Sequence, residues 1–288
     1  MIDFSEKNIT EAVIERFQNT PNLRLKTIVN SLVRHLHAFV RDTELTFDEW
    51  RFAVDFLTRT GHMCDGNRQE FILLSDTLGI SMLVDAINHR LPAGATETTV
   101  LGPFYVENPP EFPLGFDVSR GLKGEKTFVQ GTVSSTAGGT LGGAVLDIWQ
   151  SDSDGFYDVQ RTDLAEPTLR GRFRADAEGR FHFWSILPQP YPIPHDGPVG
   201  QLLEATKRHP WRPAHLHFMI SAPGHEMLIT HIFVQNDPYL ESDAVFGVKK
   251  SLIGNYTSEP PGVAPDGTRV DIPWRKLDHP FRLKPVAG

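Results

Sequence analysis

Two histidines stand two residues apart in RPAHLHFMI, residues 212–220. Two of the five tyrosines sit in loop-like stretches, Tyr157 in SDSDGFYDVQ and Tyr191 in PQPYPIPHDG. In an extended strand, residues i and i+2 share a face about 6.6–6.8 Å apart. The imidazoles of His215 and His217 can therefore converge on one ion, and imidazole suits zinc, copper, iron and nickel alike. The same pair fits exposed or hydrogen-bonded strand histidines equally well. The two tyrosines fit loop residues packed on their neighbours. As phenolates they would be hard oxygen donors, and two phenolates with two imidazoles favour Fe(III) over softer or divalent ions. No HExxH occurs, and no carboxylate neighbours the pair in HPWRPAHLHFMI.

A second His-Leu-His lies in LVRHLHAFV, residues 32–40. Its surroundings are helical, and in a helix positions i and i+2 point roughly 200° apart. His35 and His37 cannot share a ligand and are expected as exposed or core-edge residues.

The elements that must carry these side chains change character along the chain. Residues 1–90 keep helical spacing, as in Leu25, Ile28, Val29, Leu32, Leu36, Phe39 and Val40, with Asn8/Glu11 and Thr46/Glu49 at capping-box spacing. Three or four helices are expected. From LPAGATETT, residues 91–99, Gly, Pro and short alternating runs take over. FVQGTVSS, AVLDIWQSD, RGRFRAD, RFHFWSIL, HLHFMIS and MLITHIFVQ read as strands separated by turns. Leu216, Phe218 and Ile220 then face a core, with His215 and His217 on the opposite side. The run LPQPYPIPHDGP, residues 187–198, is a loop. The expected fold is α+β: a helical domain over 1–95, then a mostly antiparallel β-sandwich over 96–288.

The chain has 288 residues, enough for two domains, with 40% apolar and 22% charged residues, as in a soluble globular protein. No run approaches the roughly 18 apolar residues of a membrane span. MIDFSEKNIT lacks the pattern of a secretory signal. With one cysteine, Cys64, no internal disulfide can form, and the cytoplasm is the expected compartment. A net charge of −8 argues against nucleic acid as a main partner.

The run from TVLGPFYVENPP through VLDIWQSDSDGFYDVQ, PYPIPHDGPVG and RPAHLHFMISAPG to THIFVQNDPYLESDAVFGVK resembles the intradiol ring-cleavage dioxygenases. The resemblance covers nearly the whole chain, and the order Tyr, Tyr, His-x-His in these contexts is specific to that family. It implies one non-haem Fe(III) per subunit, held by Tyr157, Tyr191, His215 and His217. It implies a displaceable Tyr191 that accepts a proton, Arg212 beside the substrate ring, and Gln235 in the second sphere. His231 reads as structural, and Arg212 could otherwise be a surface salt-bridge partner.

EFILLSDTLGISMLVDAINH and TVLGPFYVE look most like the branch that opens 1,2,4-trihydroxybenzene (hydroxyquinol) with O2, giving 3-hydroxy-cis,cis-muconate. Catechol or a chlorocatechol is the alternative substrate. The pocket implied by that match is Leu73, Asp76, Val100, Leu101, Gly102, Pro103, Phe104, Ile193, Pro194, Arg212 and Val245. Leu101 departs from the phenylalanine of that position, and Asp76 either accepts a bond from the third hydroxyl or braces a helix. The family also implies a homodimer through the helical region, with a phospholipid at the interface. Two other classes stand beside this one. A non-catalytic sandwich binding module would hold no iron. A zinc or Fe(II) enzyme with an unseen carboxylate would keep its metal in Tyr157→Phe and Tyr191→Phe.

Overall fold

The computed structural model describes residues 3–66 and 68–286. The chain forms two compact units, one ending at Arg59 and the other beginning at Thr60.

The first unit contains α1 (Ile9–Arg16), α2 (Leu23–Asp42) and most of α3 (Phe47–His62). A reciprocal capping box opens α3. Glu49 Oε2 accepts from the Thr46 N–H at 2.9 Å, and Thr46 Oγ1 accepts from the Glu49 N–H at 3.3 Å. The box expected at Asn8 does not form, because its side chain turns backward and accepts from the Ser5 N–H at 2.7 Å. A cap with no signal at Glu spacing appears instead at Asn22, whose side chain accepts from the Leu25 N–H. His37 Nδ1 lies 3.0 Å from Thr10 Oγ1 of α1, while His35 is exposed on another face of α2. The first His-Leu-His thus splits as a helix requires. Leu25, Ile28, Leu32, Leu36, Phe39 and Val40 form a stripe along α2 that remains about half exposed.

The second unit opens with α4 (Glu70–Thr77) and α5 (Ile80–Asn88). Then come β1 (Lys126–Ser135), β2 (Val145–Gln150), β3 (Arg170–Arg174), β4 (Arg180–Ile186) and β5 (Tyr191–Pro192). After α6 (Pro198–Ala205) follow β6 (Trp211–Arg212), β7 (His215–Ser221), β8 (Leu228–Val234) and β9 (Ile253–Gly254). The chain closes with β10 (Thr257–Glu259), β11 (Gly262–Val263), β12 (Arg269–Val270), β13 (Trp274–Asp278) and β14 (Phe281–Leu283).

One five-stranded sheet runs β3-β2-β7-β8-β9, and a second is built on β1, which pairs with β4, β13 and β14, with β10 on the outer edge of β13. Apolar side chains of both sheets interleave in one core. Leu146, Ile148, Leu216, Phe218 and Ile220 meet Val129, Val133, Phe181, Phe183 and Leu277 there. The sandwich is mostly antiparallel, as expected, but β1–β13, β1–β14 and β8–β9 are parallel pairs. The closing segment passes from β13 to β14 along β1, and Gly131 permits that passage: a Cβ there would lie 2.0 Å from the His279 carbonyl oxygen.

The compact units divide before the composition does. Helices α4 and α5 belong with the sandwich. Glu70 is fully buried and accepts the Val199 N–H in the first turn of α6 at 3.1 Å. Arg208 Nη1 donates to the Thr77 carbonyl at 2.6 Å. The irregular segment after α5 is tied to β8: the Thr99 N–H reaches the Ile229 carbonyl, and Thr230 Oγ1 reaches the Glu97 carbonyl. That tether carries residues 100–105 toward the histidine face of β7.

Candidate metal centre

Register places the site. On β7, Leu216, Phe218 and Ile220 enter the core, so His215 and His217 face the other way, each 1% exposed. His217 stands opposite Trp149 of β2 and His231 of β8, and Trp149 stands opposite Arg170 of β3. Four buried side chains therefore form a row across one face of the sheet.

The donors converge. Tyr157 Oη lies 2.9 Å from His217 Nε2 and 3.4 Å from His215 Nε2. The two Nε2 atoms are 3.1 Å apart, with the ring planes inclined by 64°. Tyr191 stands edge-on to Tyr157 with centroids 5.2 Å apart. At bond lengths of roughly 2.0–2.1 Å, ligand atoms around a first-row ion fall about 3 Å from one another. The donor set fits such an ion in spacing and in chemistry. His215 Nδ1 donates to the Pro213 carbonyl at 2.7 Å, which leaves its Nε2 lone pair turned toward the cluster.

Loop anchoring explains how Tyr157 arrives there. Asp158–Gln160 form a 3-10 turn directly after it, and Gln160 Oε1 accepts the Tyr157 N–H at 2.9 Å. Arg170, 3% exposed, donates through Nε to Asp158 Oδ2 at 3.0 Å and pins the turn to β3. Tyr191 is set by the two-residue pairing of β5 with β6, where it stands opposite Arg212.

Arg212 is 2% exposed, so it is not a surface partner. Its Nε donates to Asp243 Oδ1 at 3.0 Å and its Nη2 to Oδ2 at 3.3 Å, with Nη1 3.5 Å from His215 Nε2. Asp243 is held in turn by the backbone N–H groups of Val245 and Gly247. Burial alone would raise the Asp243 carboxyl, but the Arg212 guanidinium together with the Gly247 N–H holds it below its usual range. Gly247 allows this approach, since a Cβ there would lie 3.0 Å from Arg212 Nη2. The sequence offered only a turn signal for Asp243, the spacing of aspartate and glycine in SDAVFG.

His231 is fully buried and stacks on His215 at 4.7 Å with the planes inclined by 19°. An ion bound in the plane of one ring cannot also lie in the plane of a nearly parallel ring beside it. His231 therefore stands next to the donor set, although all three imidazoles have ligating atoms within 4.8 Å of one another. Its Nδ1 lies 3.4 Å from Arg212 Nη2. Gln235 is not brought to the cluster. It follows the end of β8 and is half-buried, with its N–H directed to the Gly254 carbonyl. Four residues of extended chain span about 13 Å, which separates it from the position that faces the histidines. That position belongs to His231.

Of the expected pocket residues, Phe104 and Gly102 lie directly against this centre. Leu73 packs against the buried cluster of Ile193, Leu203, Ala244 and Val245. Phe104 stacks on Tyr157 at 4.4 Å. Gly102, at φ +77°, brings the backbone so close that a Cβ would lie 3.3 Å from His217 Cε1. Val100 is half-buried on the segment tied to β8. Asp76 is 9% exposed, and burial raises its carboxyl against the opposing pull of the Ser81 hydroxyl and Arg212. Pro194 is half-buried, whereas Leu101 and Pro103 are exposed.

Burial, reinforced by Arg212, pushes His215 down to about 3. His217 and His231 are held well below the usual histidine value, again by burial first. Burial and the neighbouring Tyr191 push the Tyr157 phenol well up. In the metal-free protein these histidines bind protons more readily when unfolded, near the ordinary value of about 6.5. Stability is therefore full above about pH 6.5 and declines as pH falls below it, by roughly 1 kcal/mol per pH unit for each group. The melting temperature of metal-free protein is expected to fall steeply from pH 7 to 5, less so in His215→Gln. A flat profile would contradict the buried neutral cluster.

Comparison with known proteins agrees in extent. A family model described as dioxygenase matches residues 101–272, and one described as catechol dioxygenase N terminus matches residues 22–96. The 6-chlorohydroxyquinol 1,2-dioxygenase of Cupriavidus pinatubonensis is 53% identical over 99% of this chain and 100% of its own length. The hydroxyquinol 1,2-dioxygenase of Rhodococcus opacus is 48% identical over 97% of this chain and 94% of its own. The crystal structure of hydroxyquinol 1,2-dioxygenase from Pseudomonas putida superposes with a TM-score of 0.93 at 49% identity, covering 97% of this chain and 98% of that one.

Proposed function

The chain belongs to the intradiol ring-cleavage dioxygenase family, and we propose that it opens 1,2,4-trihydroxybenzene with O2 between the adjacent hydroxyls. The product is 3-hydroxy-cis,cis-muconate. The observation that carries this is the convergence of Tyr157, His215 and His217 within 3.4 Å, with Tyr191 beside them, in a chain about half identical to hydroxyquinol dioxygenases.

Two imidazoles and two phenolic oxygens favour Fe(III), and the four residues are its proposed ligands. The ferric ion, when bound, supplies the template and Lewis acid for the diol. The rest falls to the chain. Tyr191 Oη, seated on a short strand in a proline-rich loop, would be the base that takes a proton from the diol. Arg212 stays cationic because Asp243 together with Tyr191 and Tyr157 offsets the penalty of burial, and it faces the cluster. It stabilises negative charge as that charge develops on the ring. Phe104 and the apolar group of Leu73, Ile193 and Val245 exclude water from the ring faces.

Asp76 selects the triol. Its buried carboxyl accepts a hydrogen bond from the third hydroxyl, which catechol lacks, and an unpaired buried polar group costs about 1–3 kcal/mol. In Asp76→Ala, kcat/KM for the triol is expected to fall roughly 5–150-fold, while catechol turnover holds or rises. Equal losses on both substrates would sink this role and leave Asp76 as a helix brace.

The exposed stripe of α2 supports pairing of two chains through the helical region, with the acyl chains of a phospholipid covering part of it. A solution mass of one chain would exclude the pairing, and lipid-free organic extracts would exclude the lipid. No helix among the described residues is long and apolar enough to cross a membrane. The single cysteine suits a reducing compartment, the cytoplasm.

A further inference from the structure

Metal-bound histidines usually give their second ring nitrogen to an acceptor that fixes the ring plane. His215 does so through the Pro213 carbonyl. His217 does not: its Nδ1 is buried and has no hydrogen-bond partner. Something else must hold that imidazole against rotation about its side-chain bonds.

The neighbour across the strands supplies it. Trp149 of β2 stands directly opposite His217, with ring centroids 4.5 Å apart and planes inclined by only 16°. Trp149 is 1% exposed. Strand alternation sends Leu146 and Ile148 into the main core and turns Trp149 to the site face, where it clusters with Tyr157 and Tyr191. The indole Nε1 is itself buried without a partner, so its position is set by packing and not by a hydrogen bond. Tyr105 closes on it at 5.1 Å, and the Tyr105 hydroxyl donates to Asp147 Oδ2 at 3.1 Å. Asp147 is clamped in turn by Arg172 through Nε at 2.6 Å and Nη2 at 2.8 Å. A rigid chain of contacts therefore runs from an ion pair to the face of the imidazole.

We infer that Trp149 is a positioning residue of the metal centre, fixing the His217 ring plane by face-to-face stacking as the Pro213 carbonyl fixes His215 by a hydrogen bond. This rests on the proposal that His217 is a metal ligand. A tryptophan that merely filled volume would be replaceable by any side chain of similar bulk. A stacking residue is replaceable only by another flat ring.

The test loads wild type, W149F and W149L with Fe(III), then follows iron loss to a competing chelator through the phenolate-to-iron absorption band. The melting temperature of each metal-free protein serves as a control of folding. W149L is expected to lose iron about 10–100-fold more readily, with a shifted band, whereas W149F stays close to wild type. Should W149L fail to fold, W149M fills the volume without a ring and takes its place. Wild-type affinity in the ring-free variant would overturn the inference. So would a loss in W149F as large as in W149L. A wild-type protein that takes up no ferric iron would overturn the ligand proposal together with the inference.

Discussion

Tyr157→Phe is expected to yield a folded protein that retains little iron and opens no ring. The substitution removes one hydroxyl from a ring that is otherwise enclosed, 0% exposed and stacked on Phe104. The packing survives, and so does the fold. What is lost is the oxygen that lies 2.9 Å from His217 Nε2. Without it the proposed donor set would shrink to two imidazoles and Tyr191. The loss in iron retention and in turnover should exceed the roughly 10–100-fold that outer-shell changes cost. Metal analysis after gel filtration, together with the visible band, checks it. The burial that pushes the phenol up adds a second consequence. With the phenol held up, iron uptake through Tyr157 is expected to release a proton and to weaken as pH falls. A zinc or Fe(II) centre built on the histidine pair predicts the reverse, with metal kept after the tyrosine is changed.

Asp243→Asn is expected to give the largest loss of stability of any single change at the site. It leaves the Arg212 guanidinium charged, buried and without its counter-ion. Removing one partner of a buried pair costs about 3–5 kcal/mol. For a unit of this size each kcal/mol shifts the melting temperature by roughly 2–4 °C, so a fall of about 6–20 °C should be seen by calorimetry. Turnover should fall as well, because the guanidinium no longer has a fixed direction toward the ring of the substrate. A melting temperature within a degree of wild type would show that the pair contributes nothing to the fold. Arg212 would then need another explanation for its burial.

Much of the site could be read from the order of residues because strand geometry is local. The spacing of His215 and His217, and the apolar parity of Leu216, Phe218 and Ile220, fix which face each side chain takes once the segment is a strand. The two tyrosines stood out by their punctuated surroundings. The partners that hold these groups were not legible, since each depends on register between distant segments. Asp243 reaches Arg212 across 31 residues, and Trp149 meets His217 only through pairing of β2 with β7. His231 looked structural for the same reason. Nothing local shows that β8 pairs with β7 so as to put residue 231, rather than 235, beside the histidines. The break between compact units was hidden too. The change from helical to strand-like composition near residue 95 is real, but α4 is tied to α6 and its flank by Glu70 and Thr77, and α5 pairs through Asp85 with Lys249.

The most direct measurement is O2 uptake by iron-loaded protein, with 1,2,4-trihydroxybenzene and catechol compared side by side and corrected for autoxidation. The structure and its relatives predict one O2 consumed per ring opened, a ring-opened muconate as product, and a strong preference for the triol. No uptake with either diol, from protein shown to carry ferric iron, would contradict ring cleavage as the function of this chain.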